Sequence, residues 1–118
     1  MNEIYKNVLK KFWGDEVELT EGCELTWMRQ PHYYMGLYSY SYSASLTIAT
    51  QVMKRIRKEG QPAVDDWKKT LAAGGTVAPV EFAKMAGVDV TTDAALIDTI
   101  DYIGGIIDEI EELNKELN

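Results

Sequence analysis

The sequence predicts an all-α fold of about five helices. Apolar residues recur three and four apart through most of the chain, the period of a helix that buries one face. Most glycines and prolines fall between those stretches, where they act as breaks. Only residues 38–43, Tyr-Ser-Tyr-Ser-Tyr-Ser, alternate with the period of a strand. The 118 residues and 13.3 kDa fit a single helical domain over 1–118 with one modest core.

Residues 3–13 read as an amphipathic helix. Ile4, Tyr5, Val8, Leu9 and Phe12 form its apolar set, Lys6, Asn7, Lys10 and Lys11 lie between them, and Gly14 is its stop. Residues 14–30 read as an acidic loop through Asp15, Glu16, Glu18, Glu21 and Glu24, anchored by Leu25 and Trp27. Pro31 marks the next start, because a missing N–H costs little in a first turn. The Tyr/Ser alternation favours a strand, and both residues are poor helix formers. The longer window favours a helix. Tyr38, Tyr42, Ser45, Ala49, Val52 and Ile56 are spaced 4, 3, 4, 3, 4, so one helix is expected over roughly 33–58. Lys54, Arg55, Arg57 and Lys58 complement the dipole of its last turns, and Gly60 ends it.

Pro62 opens a helix to about Ala73, with Val64, Trp67 and Leu71 apolar and Gly74-Gly75 as the break. Thr76-Val77-Ala78-Pro79 starts another, carrying Val80, Phe82, Ala83 and Met85, and Gly87 closes it. Thr92 or Asp93 caps the last helix. Its stripe is Leu96, Ile100, Ile103, Ile107 and Ile110, with Leu113 and Leu117 beyond. Asp98, Asp101, Asp108, Glu109, Glu111, Glu112 and Glu116 lie mostly outside that stripe, as a solvated face would. Gly104-Gly105 costs about 1 kcal/mol per glycine in a helix and suits a close crossing or a bend. Trp13, Trp27 and Trp67 read as core anchors.

Composition removes several function classes. Hydrophobic residues make up 46% and charged residues 26%, unlike a disordered tail. No run approaches the roughly 18 apolar residues of a spanning helix, and residues 1–6 lack the layout of a signal peptide. The single cysteine, Cys23, fits a reducing compartment, so a cytoplasmic location is expected and no membrane partner. Twelve basic against 19 acidic residues give a net charge of −7, the wrong sign for neutralising phosphates, so no nucleic-acid partner is expected. One histidine and one cysteine cannot build a His/Cys zinc site, so no metal ligand is assigned within this chain.

The segment Pro31-His32-Tyr33-Tyr34-Met35-Gly36-Leu37-Tyr38-Ser39-Tyr40-Ser41-Tyr42 places five of the seven tyrosines beside the only histidine. Neutral imidazole and phenol both donate hydrogen bonds. Such donors stabilise the oxyanion formed when a peptide carbonyl is attacked. On a regular helix Tyr38 and Tyr42 share a face and Tyr40 points to nearly the opposite side. The plainer reading makes the tyrosines amphipathic core and boundary residues and His32 a helix-start residue. A nucleophile–base pair of Cys23 with His32 is a further reading, although nothing marks Cys23 as activated.

Trp27-Met-Arg-Gln-Pro-His32-Tyr-Tyr, followed by Tyr38-x-Tyr40-x-Tyr42, resembles the region after the zinc site of oligoendopeptidase F and its thimet-oligopeptidase-like relatives. The block Leu71-Ala-Ala-Gly-Gly-Thr76-Val-Ala-Pro79-Val-Glu-Phe-Ala-Lys-Met-Ala-Gly87-Val-Asp89 agrees in order and distance, and the resemblance covers roughly residues 20–115. It implies a helical C-terminal portion of a zincin-type oligopeptidase that cleaves short peptides around a deep channel. In that family an HExxH helix and a later glutamate hold the zinc, and the motif glutamate activates the metal-bound water. This sequence contains no HExxH. The resemblance therefore implies zinc in a full-length enzyme and no ligands here. Carried over by motif, His32 takes the histidine role. Tyr40 and Tyr42 take the carbonyl or oxyanion contact, and Tyr38 and Tyr34 bind substrate. Ser39 and Ser41 depart from the bulkier or amide residues expected between the tyrosines.

The leading expectation is a substrate-channel domain of a zinc oligoendopeptidase, inactive alone, whose partners are peptide substrate and the rest of the peptidase chain. The alternative is a stand-alone helical module that binds peptides or self-associates through an uncovered face. An independent enzyme using Cys23 and His32 is the third.

Overall fold

Residues 1–117 are described by a computed structural model. The fold is all-α, as expected. Among the described residues there are five α-helices, three short 3₁₀ segments and no strand. The chain divides into two compact units, one over Met1–Ser41 and the other from Tyr42 onward.

In the first unit, α1 spans Asn2–Trp13, with Glu3 in its first turn and Lys10 and Lys11 in its last, each complementing the helix dipole. Gly14 ends it at φ 66°, a left-handed conformation that suits glycine, and donates its N–H to the Lys10 carbonyl. No residue of α1 is buried, and Ile4, Val8 and Phe12 all stand exposed. Two side-chain contacts tie α1 to the chain that follows. Trp27 Nε1–H donates to Asn2 Oδ1 at 2.8 Å, and Tyr5 meets Tyr33 edge-on at 6.1 Å. Trp13 is half exposed and packs edge-on against Phe12, so it is not the core anchor the sequence suggested. The acidic loop contains a 3₁₀ segment at Cys23–Arg29, and a second follows at Pro31–Tyr34.

The second helix departs from expectation at its start. α2 spans Tyr40–Glu59 instead of beginning near residue 33. The Pro31 turn ends in extended backbone at Met35 (φ −106°, ψ 106°). Leu37 then takes φ 56°, a left-handed conformation costing a non-glycine residue about 1–2 kcal/mol. A right-handed helix cannot pass through either residue. Ser41 helps close the first turn, donating both its N–H and its hydroxyl to the Tyr38 carbonyl at 3.0 and 2.7 Å. The Tyr/Ser alternation thus resolves into helix from Tyr40 on.

In the second unit, α2 is followed by α3 (Gln61–Ala73), α4 (Pro79–Met85) and α5 (Ala94–Glu116), separated at the expected Gly/Pro breaks. Val52, Ala86 and Val88 form the buried cluster, and Ile48, Ile56, Trp67, Val90 and Ala95 pack against it. Alanines let α3 and α4 approach closely: Ala63 and Ala83 are buried, and Trp67 meets Phe82 edge-on at 6.4 Å. Buried threonines satisfy their own hydroxyls. Thr70 donates to the Asp66 carbonyl at 2.9 Å and Thr99 to the Ala95 carbonyl at 2.8 Å. Asp93 does occupy the N-cap of α5, but its side chain makes no capping bond. The α5 stripe is largely uncovered, with Ile107 53% exposed and Thr99 the buried residue of the helix. Among the described residues, no other element comes within 4 Å of a Cβ built on Gly104 or Gly105, so they make no close crossing there.

Candidate functional site

Pro31 organises the histidine segment. A residue before proline is pushed out of the helical region, and Gln30 accordingly sits at φ −87°, ψ 102°. Its backbone closes one 3₁₀ segment and caps the next. Gln30 N–H donates to the Trp27 carbonyl at 3.4 Å, and the Gln30 carbonyl accepts from Tyr33 N–H at 3.2 Å. The Gln30 side chain then reaches His32, with Nε2 at 2.8 Å from Nδ1. The half-buried imidazole stands 5.2 Å from the Tyr38 ring, tilted by 42°.

The other sequence-predicted residues are placed differently. Tyr34 donates its hydroxyl to the Met28 carbonyl at 3.3 Å. Tyr40 opens α2 and is 68% exposed. Tyr42 is also exposed and begins the second unit. Two helical residues apart, Tyr40 and Tyr42 diverge by about 200° around the axis. The structure therefore brings His32 and Tyr38 together and sets Tyr40 and Tyr42 on different sides of a first turn. Cys23 donates its thiol to the Glu24 carboxylate at 3.8 Å. Tyr5 holds its proton more tightly than an ordinary phenol, first because of its hydrogen bond with Tyr33.

The donor set does not fit a zinc site. The chain has one histidine and one cysteine, and among the described residues no group of three or more His, Cys, Asp or Glu could hold a metal ion. The imidazole Nδ1 is already engaged by the Gln30 amide.

A basic concavity in the second unit, lined by Lys54, Arg55, Arg57, Lys58, Gln51, Glu59, Gly87 and Asp98, contains none of the predicted site residues. Several of its cations serve the fold. Arg55 bonds the Glu59 carboxylate at 2.9 Å, the Asp66 carboxylate at 2.8 Å and the Ala86 carbonyl at 3.0 Å. Lys54 pairs with Asp98, which also accepts from Gln51 at 2.6 Å. The Arg55 hydrogen bond holds the Asp66 carboxyl below the usual range, and Lys54 does the same for Asp98. Asp89 is lowered by hydrogen bonds from the Thr91 hydroxyl and N–H.

Sequence reasoning missed two residues. Gln30 carried one signal, its place two before the histidine across a proline. Arg55 read only as a complement to the helix dipole, although Glu59 four residues on marked it as paired. Among the described residues no helix is long and apolar enough to cross a membrane.

Comparison with known proteins places the chain in a family. Residues 1–102 match the profile of Peptidase family M3. The chain is 34% identical to Oligopeptidase PepF of Bacillus subtilis over 96% of its own length and 17% of that protein's. It is 31% identical to an oligoendopeptidase F homolog of Borreliella burgdorferi, over 96% of the chain and 19% of the relative. An oligoendopeptidase F homolog of Mycoplasma genitalium is 33% identical over 76% of the chain and 16% of its own length. The chain thus spans less than a fifth of the length of these relatives. No solved structure matches it. With its fold, its Pro-His-Tyr turn and these relatives together, the chain belongs to peptidase family M3.

Proposed function

We propose that the chain is the substrate-channel domain, C-terminal in position, of a zinc metallo-oligoendopeptidase that hydrolyses short peptides. Family membership over residues 1–102 carries the reading. His32, Tyr40 and Tyr42 donate hydrogen bonds to the scissile carbonyl and to the oxyanion that develops on it. Tyr34 and Tyr38 bind substrate, and the tilted approach of Tyr38 to the imidazole supports a shared surface. The zinc ligands lie in other parts of the peptidase, since the donors here do not fit the ion. The partners are a short peptide and the remainder of the peptidase, in the cytoplasm.

The isolated chain binds no stoichiometric zinc and cleaves no peptide. Metal analysis and a quenched-fluorescent peptide test this directly. Tight stoichiometric zinc with metal-dependent turnover would overturn the reading.

The uncovered apolar stripes of α1 and α5 favour a second reading, a helical module that self-associates or binds peptides without catalysis. Light scattering after size exclusion separates the two. A monomer at all concentrations, with no affinity for peptides, removes the second.

A further inference from the structure

We infer that Gln30 is a positioning residue that fixes the tautomer of His32, placing the ring proton on Nε2. The inference rests on the proposed donor role of His32 for its functional meaning, but not for its chemistry. An amide NH₂ can only donate. With Gln30 Nε2 at 2.8 Å from His32 Nδ1, the imidazole nitrogen must accept. A neutral imidazole accepting at Nδ1 carries its single hydrogen at Nε2.

The backbone makes this arrangement local and reproducible. Pro31 holds Gln30 in the extended region, and the turn of Pro31–Tyr34 brings residue 32 back over it. The Met35 N–H donates to the His32 carbonyl at 3.2 Å and closes the same turn. Gln30 and His32 are therefore the cap and second residue of one rigid turn, and the side chains meet without any distant element.

The consequence concerns the sign of the histidine's second nitrogen. With the proton on Nε2, that nitrogen donates and stabilises an oxyanion or a carbonyl. With the proton on Nδ1, Nε2 would present a lone pair and repel the same oxygen. An acceptor at position 30 would thus turn a hydrogen-bond donor into an acceptor without moving the ring.

The chain has one histidine, so its nitrogen resonances are unambiguous. Long-range proton–nitrogen correlation NMR of this chain, at alkaline pH where imidazole is neutral, reads the tautomer directly. The expected pattern is a protonated Nε2, an unprotonated Nδ1, and a coupling across the hydrogen bond from Gln30 Nε2. In Gln30→Glu the carboxylate accepts, and the two nitrogen positions exchange their protonated and unprotonated shifts. A wild-type proton on Nδ1 overturns the inference even if the variant fails to fold. So does a folded Gln30→Glu with the wild-type nitrogen pattern. Loss of the catalytic role of His32 would instead appear as unchanged turnover of His32→Ala in a full-length peptidase, a separate readout.

Discussion

Gly87→Ala tests the junction that holds the second unit together. Gly87 sits at φ +79°, and a Cβ built there falls 2.3 Å from Arg55 Nη1 and 2.7 Å from its Cζ. The left-handed backbone alone costs an alanine about 1–2 kcal/mol. Arg55 is a flexible side chain, but Glu59, Asp66 and the Ala86 carbonyl pin its guanidinium. To make room it must release them. Ala86 is only 2% exposed, and the loss of its carbonyl's bond to Arg55 adds about 1 kcal/mol. The sum is about 2–3 kcal/mol, or roughly 8–12 °C in Tm for a domain of this size. Thermal unfolding followed by far-UV circular dichroism reads the shift. The control is the same substitution in an Arg55→Met background, where the guanidinium is absent and only the backbone part remains. The difference between backgrounds should be about 1 kcal/mol. An equal loss in both would refute the steric and hydrogen-bond argument and leave glycine's conformation as the whole effect.

In a full-length peptidase, His32→Ala and Tyr42→Phe should each lower kcat by roughly 10²-fold with little change in KM, as loss of a transition-state donor does; unchanged kcat in both would reduce them to packing residues. Asp66, Asp89 and Asp98 have lowered pKa values, so the folded state binds fewer protons than the unfolded one. Their stabilisation is complete above the ordinary carboxylate value of about 3.9 and is lost as pH falls through their lower folded values. Urea unfolding from neutral to acid pH checks this, and greater stability in acid would contradict it. Ile107→Asp, on the exposed stripe of α5, should change monomer stability by less than about 0.5 kcal/mol and suppress any self-association seen by light scattering; a large fall in Tm would mean that the stripe is packed.

The fold was legible where two signals agreed. For α3 and α4, a proline at the start, a helical apolar set and a glycine nearby all pointed to the same element, and each formed close to its expected span. The start of α2 was not legible. The spacing of Tyr38 with Tyr42 suggested one continuous seam, but the seam has no term for backbone conformation. The left-handed Leu37 is unusual for a branched apolar residue and carries no compositional mark. Trp13 failed for a different reason. Helical periodicity says which residues share a face, not whether anything covers that face. In the candidate site, residue types pointed to hydrogen-bond donation by His32, yet its tautomer depends on Gln30, whose role required the proline turn to be seen in three dimensions.

The size of the buried core bears on where preorganisation comes from. Among the described residues the buried hydrophobics are Val52, Ala63, Ala83, Ala86 and Val88, all of them small or β-branched, while most large apolar residues of α1 and α5 stay exposed. Helical stability in proteins comes mainly from packing of an apolar face, so helices with uncovered stripes gain little of it. Apart from the Tyr5–Tyr33 ring contact, the histidine segment is held mainly by short-range bonds: the Gln30–His32 contact, the Tyr34–Met28 bond and the Ser41–Tyr38 bonds each span no more than six residues. Such turns can fix one ring against its neighbour. They do not fix Tyr40 and Tyr42 against a substrate, because these tyrosines leave one helix turn in different directions. A donor set accurate enough for oxyanion stabilisation needs rotamers locked by surrounding side chains. The uncovered stripes are where further chain can pack, and the proposed peptidase would gain its geometry there, while the local turn orients the histidine ring and sets its tautomer beforehand.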